Sequence, residues 1–232
     1  MSDRLLERLG AASGLVGAVL GPIGFSLFGG TALGDSLNGG SKQSLAAAIT
    51  APAPAQAFLG NSLDVLSSCL LIVFAARLWA RLRRAEGSPG WLSIAALAGF
   101  VLGIAATLAD KIAFSALAAQ AGHGLELQEA MTLRDVAMGS ANLGFLYIGT
   151  LFMGCAAMVG LRVHAFPRWL SWGAAAVALV NLVLLLMPPT IAVPPLGFPL
   201  LFFWLLAASV VMLVRPETPA AAAGSPSLAP RP

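Results

Sequence analysis

Six apolar runs, each long enough to cross a bilayer, alternate with short polar connections in this chain. The runs are approximately 10–33, 57–80, 91–118, 138–161, 169–188 and 196–214. A helix crosses about 30 Å of hydrocarbon in roughly 20 residues, at about 1.5 Å per residue. Continuous apolar segments of this length fit helices, whereas the strands of a transmembrane barrel alternate over ~10 residues. The expected fold is therefore all-α: a polytopic membrane bundle of six transmembrane helices in a single domain, residues 1–214. The Pro- and Ala-rich segment 215–232 is expected to be a disordered cytoplasmic tail.

Composition agrees about the solvent. Charged residues make up 10% of the chain, and the mean hydropathy is +0.87. A soluble domain carries roughly 25% charged residues, so the surface of this one is suited to lipid. The pI of 9.4 does not point to nucleic acid, because the formal net charge is only +3 and the basic residues sit in short clusters beside apolar runs.

Those clusters set the orientation. Arg4 and Arg8 precede the first run, Arg77, Arg81, Arg83 and Arg84 follow the second, Arg162 and Arg168 separate the fourth from the fifth, and Arg215 and Arg231 follow the sixth. These are ten of the thirteen Lys and Arg residues, and they fall on one side of the alternation. The other side has Lys42 and Arg134, with Lys111 in or near the membrane. Both termini are expected in the cytoplasm, in a bacterial inner membrane. Trp79, Trp91, Trp169 and Trp172 fall at the same interface, as an aromatic belt does. The rival reading of the first run as a cleaved signal peptide fits less well, since such a peptide has an apolar part of about 7–15 residues.

The connections hold no soluble domain. Ser41 is placed to cap a short helix running to Thr50, ended by the Ala-Pro-Ala-Pro stretch at 51–54. The segment 119–137 is expected to extend the fourth helix outward or to lie on the membrane surface. The uncharged 188–195 connection, with four prolines, is expected to be stiff.

Helices in lipid associate through small residues. Gly10, Gly14, Gly17, Gly21 and Gly24 form one stripe on the first run, with Pro22 expected to kink the helix without ending it. Gly99, Gly103 and Asp110 share a face of the third run, and Asp135, Asn142, Gly149 and Ala156 recur every seven residues along the fourth. These glycine stripes are expected helix contacts, within the chain or to a homodimer or membrane partner. Cys69 and Cys155 read as small buried apolar residues, and His123 and His164 lie on opposite sides of the membrane.

The remaining polar residues carry whatever chemistry the chain has. Asn61, Asp64 and Ser68 share a face of the second run, with Asp64 about 10 Å below its outer end. Asp110 and Lys111 lie near the outer end of the third run, and Asn142 sits at a similar height in the fourth. Asn61, Asp64, Asp110, Lys111 and Asn142, with Arg134 and Asp135, are expected to surround an outward-facing polar pocket. Asn181 lies closer to mid-membrane and is expected to make a structural hydrogen bond. A carboxylate at the depth of Asp64 is costly unless paired, hydrated or protonated, and Lys111 is its expected partner, with Asp110 competing.

Three functions are compatible with this set. The first is binding, sensing or transport of a small ligand through the pocket. The second is an intramembrane enzyme acting on a lipid or isoprenoid, with Asp64 or Asp110 as acid or base. The third is an accessory or regulatory subunit. No GxSxG, HExxH or GxxxxGK[ST] motif occurs, so no catalytic residue, metal or cofactor is expected.

Phe166-Pro167-Arg168-Trp169-Leu170, followed by Ser171, opens the fifth run. It resembles the Leu-Pro-Arg-Trp-Leu-Gly typical of a family of bacterial six-helix integral membrane proteins known as a domain of unknown function. Asp64, the six-run layout and the length add to the resemblance, which covers residues 8–214. It implies the six-helix fold and no particular activity.

Overall fold

The computed structural model describes residues 3–37, 40–186 and 197–214. Among these, all regular structure is helical. The elements are α1 (Asp3–Gly29), α2 (Ala32–Leu37), α3 (Lys42–Ala48), α4 (Ala55–Glu86), α5 (Trp91–Gln120), α6 (Leu127–Leu146), a π-helical turn (Tyr147–Phe152), α7 (Met153–Val163), α8 (Arg168–Leu186) and α9 (Gly197–Val214). Arg215, Arg231, the tail after them and the proline-rich connection lie outside the described residues.

Four of these segments are long and apolar enough to cross a membrane: Glu7–Gly29, Ala55–Glu86, Trp91–Gln120 and the continuous Leu127–Val163. Arg168–Leu184 and Pro199–Val214 are shorter apolar helices. The long elements pack as a closed ring in the order α1, α4, α5, α6 to α7, α8, α9 and back to α1. Ring neighbours run antiparallel, so the bundle has a basic end, carrying Arg81–Arg84 and His164, and an opposite end covered by α2 and α3.

Several boundaries differ from the sequence reading for local reasons. The second helix does not stop at residue 80 but continues to Glu86, so Arg77, Arg81, Arg83 and Arg84 stand on helix. Arg, Leu, Ala and Glu are good helix formers, and the chain turns only at Gly87, whose φ of 76° suits glycine. There Glu86 folds back to accept hydrogen bonds from the Leu92 and Ser93 amides, at 3.1 and 2.8 Å, and from the Ser93 hydroxyl. It caps the first turn of α5, which has no side-chain cap of its own. α1 starts at Asp3, with Glu7 in reach of Arg77 at 3.4 Å, and passes through Pro22 unbroken. Ser41 caps α3 as expected, its hydroxyl accepting from the Ser44 amide at 3.1 Å, although the helix ends at Ala48. Of the two options for 119–137, the structure takes the extended helix.

The glycines are filled from within the chain. A Cβ at Gly10 would fall 2.1 Å from Arg77 Cγ, at Gly14 2.3 Å from Phe74 Cδ2, at Gly17 3.0 Å from Leu71 and at Gly21 2.8 Å from Phe202. Likewise Gly99 receives Leu151, Gly103 receives Ile148 and Gly149 receives the Asn181 amide. The stripe on α1 therefore seats α1 against α4 and α9.

Two apolar cores result. One, toward the basic end, is built on Phe74, Leu78, Phe100, Phe152, Phe166 and Trp204. Trp204 donates its indole N–H to the Leu170 carbonyl at 2.8 Å and meets Phe152 and Phe166 edge-on, fastening α9 to α8. The other lies at the covered end, where Leu33, Leu37 and Leu45 of α2 and α3 meet Phe28, Phe114 and Leu117.

Candidate functional site

Between the two cores the ring is not filled by side chains. A cavity of about 290 Å³ remains, lined from α1, α4, α5, α6, the π-helical turn and α9. Its charged group is assembled along the seam of α4 and α5. These helices are antiparallel, so a three-residue step on α4 meets a four-residue step on α5. The Asn61 amide donates to Ser115 Oγ at 2.8 Å, and one turn deeper Lys111 Nζ lies 2.8 Å from Asp64 Oδ2. The same ammonium is 2.8 Å from Asp110 Oδ1.

Lys111 thus bridges two carboxylates. The three side chains are largely withdrawn from solvent: 12% exposed for Lys111, 19% for Asp64 and 4% for Asp110. Asp64 stands nine residues into α4, about 13 Å along its axis. Charges at such depth persist only with partners, and the cluster supplies them.

Of the five residues expected to form a polar pocket, Asp64, Asp110, Lys111 and Asn142 line the cavity together. Asn61 does not. Its amide is committed to Ser115, so it pins two helices one turn above the site. Arg134 and Asp135 are also elsewhere, paired with each other at 3.6 Å on α6. Both stand about two turns further out along α6 than Asn142. Beyond Asn142 the π-helical turn inserts an extra residue into the helical repeat, so the seven-residue spacing from Asn142 to Gly149 does not stay on one face. Asn142 faces the cavity, while Gly149 faces α8 and Asn181, whose amide donates to the Val177 carbonyl at 2.9 Å.

The expectation of a polar pocket needs correction on one further point: most of the wall is apolar. Five phenylalanines, Phe25, Phe100, Phe114, Phe145 and Phe202, come from four different helices, with Ile104, Leu201 and Leu205 beside them. None of these had a sequence signal, since each reads as one apolar residue among many in its run. Ser67, Ser68 and Thr107 add hydroxyls to the wall, but all three protons are committed. They donate to the Gly17, Asp64 and Ile104 carbonyls at 2.7, 3.1 and 2.9 Å. The hydrogen-bonding capacity left in the cavity is that of the carboxylate oxygens, which accept, and of the Asn142 carboxamide, which both donates and accepts. Lys111 Nζ also lies 5.8 Å from the Phe114 ring centroid.

An apolar body can fill the aromatic part, and a polar group can reach the Asp64–Lys111–Asp110 cluster. Compared with family models, with curated proteins and with solved structures, the chain matches none.

Proposed function

We propose that this chain is a six-span integral protein of a bacterial cytoplasmic membrane that binds a small, mostly apolar molecule carrying one polar group. Binding serves uptake, export or sensing of that molecule. Both termini and the basic connections face the cytoplasm, and the cavity lies toward the outer half. The two shorter helices count as spans because they complete the ring. They also present large apolar side chains outward, with Leu186 at 76% and Phe203 at 69% exposed. The observation that carries the functional reading is the unfilled cavity of about 290 Å³ with a buried ion cluster on its wall. Ligand pockets of about 300–1,000 Å³ with apolar walls and a few convergent polar groups are the usual form of small-molecule sites.

The test uses three small probes of similar size: benzyltrimethylammonium, its neutral carbon isostere neopentylbenzene, and the anion phenylacetate. Binding is measured on the full chain in nanodiscs and corrected for empty nanodiscs. At least one probe binds saturably, one per chain, and Ala141→Trp, which fills the cavity from α6, removes that binding. Saturable binding of none, or binding indifferent to Ala141→Trp, refutes the reading.

A further inference from the structure

The charge count of the cluster goes further than the existence of the cavity. Asp64 and Asp110 share one ammonium, each at 2.8 Å from Lys111 Nζ. With all three ionised, the group carries one negative charge in excess. No other lining residue is charged: α1, α6 and α9 face the cavity with side chains such as Phe25, Asn142 and Leu201. An excess charge largely withdrawn from bulk solvent attracts a counter-charge.

The hydroxyls of the wall point the same way, while the Asn142 carboxamide, which donates as well as accepts, favours neither sign. The hydroxyl protons of Ser67, Ser68 and Thr107 are spent on backbone carbonyls, and the Lys111 ammonium is held 2.8 Å from an oxygen of each carboxylate. An incoming anion would have to compete with two resident carboxylates for that ammonium. An incoming cation meets carboxylate oxygens that accept and do not donate. The rest of its surface meets phenylalanine rings, which attract cations through their negative faces. Phe114 already has the Lys111 ammonium 5.8 Å from its centroid.

We propose that the ligand of this cavity is a small amphipathic monocation, an organic ammonium whose charge is held by Asp64 and Asp110 and whose apolar body lies on the phenylalanine wall. This rests on the reading of the cavity as a small-molecule site and specifies its ligand class.

The three probes decide it on the unaltered chain, where folding of variants plays no part. Benzyltrimethylammonium is expected to bind at least about tenfold more tightly than neopentylbenzene, and more tightly still relative to phenylacetate. Because the first two share one shape, their difference reports charge alone. In Asp64→Asn the cluster becomes a neutral Lys111–Asp110 pair, and the cation's advantage over its isostere is expected to shrink to less than about threefold. Equal binding of cation and isostere, or preference for phenylacetate, overturns the monocation proposal and leaves the cavity reading standing. If no probe binds, both fall. A cation preference that survives unchanged in both Asp64→Asn and Asp110→Asn also overturns the proposal, since the charge would then be read elsewhere.

Discussion

At the level of single residues, the cluster is asymmetric in a way that mutation can read. Removing one carboxylate leaves an ion pair, because Lys111 still has the other within 2.8 Å. Removing the lysine leaves two carboxylates without a partner, and breaking a buried pair in this way costs about 3–5 kcal/mol. Lys111→Met is therefore expected to be strongly destabilising, whereas Asp64→Asn is expected to cost about 1 kcal/mol or less, in line with interhelical polar contacts in membranes. Thermal unfolding of the two variants in the same detergent checks the order, and equal losses would show that the lysine does not hold the cluster together. Much of this site was legible in the sequence. Asp64, Asp110 and Lys111 were the charges that the topology rule left unexplained, and each is costly enough in a span to require a partner. What could not be read was the direction of Asn61, one turn from Asp64 on the same helix face. Whether such a residue meets the cavity or the neighbouring helix depends on the seam with α5, where Ser115 happens to stand. The phenylalanine wall was hidden for a related reason, since in a lipid-facing sequence an inward ring and an outward ring look alike.

At the level of elements, α1 and α4 approach each other backbone to backbone. A Cβ on Gly24 would lie 2.6 Å from the Gly60 carbonyl oxygen, and one on Gly60 would lie 2.7 Å from both the Gly24 carbonyl oxygen and the Phe28 nitrogen. Backbone cannot swing aside as a side chain can, so a methyl group here has to separate the helices. Gly60→Ala is expected to destabilise the protein by about 1–3 kcal/mol, the usual cost of overpacking. Gly139 on α6, where a Cβ would meet nothing within 4 Å, is the control. Gly139→Ala is expected to be neutral or to gain up to about 1 kcal/mol from helix propensity. The paired measurement is again thermal unfolding, and similar changes in both variants would disprove the seating of α1 on α4 through backbone contact. The stripe on α1 was visible as a spacing of small residues, but its complement on α4 was not, because Gly60 stands alone in its run. The π-helical turn was invisible for a different reason. Tyr147 to Phe152 is an ordinary apolar stretch, and nothing in it marks the extra residue that turns Gly149 away from the face of Asn142. Side-chain identity sets helix content here, while the register of the turn goes with tertiary packing, Ile148 on Gly103 and Asn181 on Gly149.

For the whole molecule, the alternation of antiparallel helices gathers the basic residues of the described segments mostly at one end, as the sequence pattern implied. Exposed Trp91, Trp169 and Trp172, at 61, 60 and 64%, mark the same end. A bilayer placed on this bundle puts those rings at one interface and α2 and α3 at the other. The proposed orientation rests on the charge bias, and the number of crossings turns on whether α8 and α9 span as the four longer segments can. Single cysteines separate these possibilities once Cys69 and Cys155 have been replaced by alanine. Ser88→Cys, in the exposed turn between α4 and α5, is expected to resist a membrane-impermeant maleimide in intact cells and to react after permeabilisation. His123→Cys, in the turn after α5, is expected to react in intact cells. Thr190→Cys, in the connection between α8 and α9, discriminates six spans from four. With both helices crossing, it reacts from outside as His123→Cys does. If α8 and α9 form a hairpin that stays on the basic side, it is protected together with Ser88→Cys, and the cavity then loses the lipid-spanning α9 wall on which Leu201, Phe202 and Leu205 are carried.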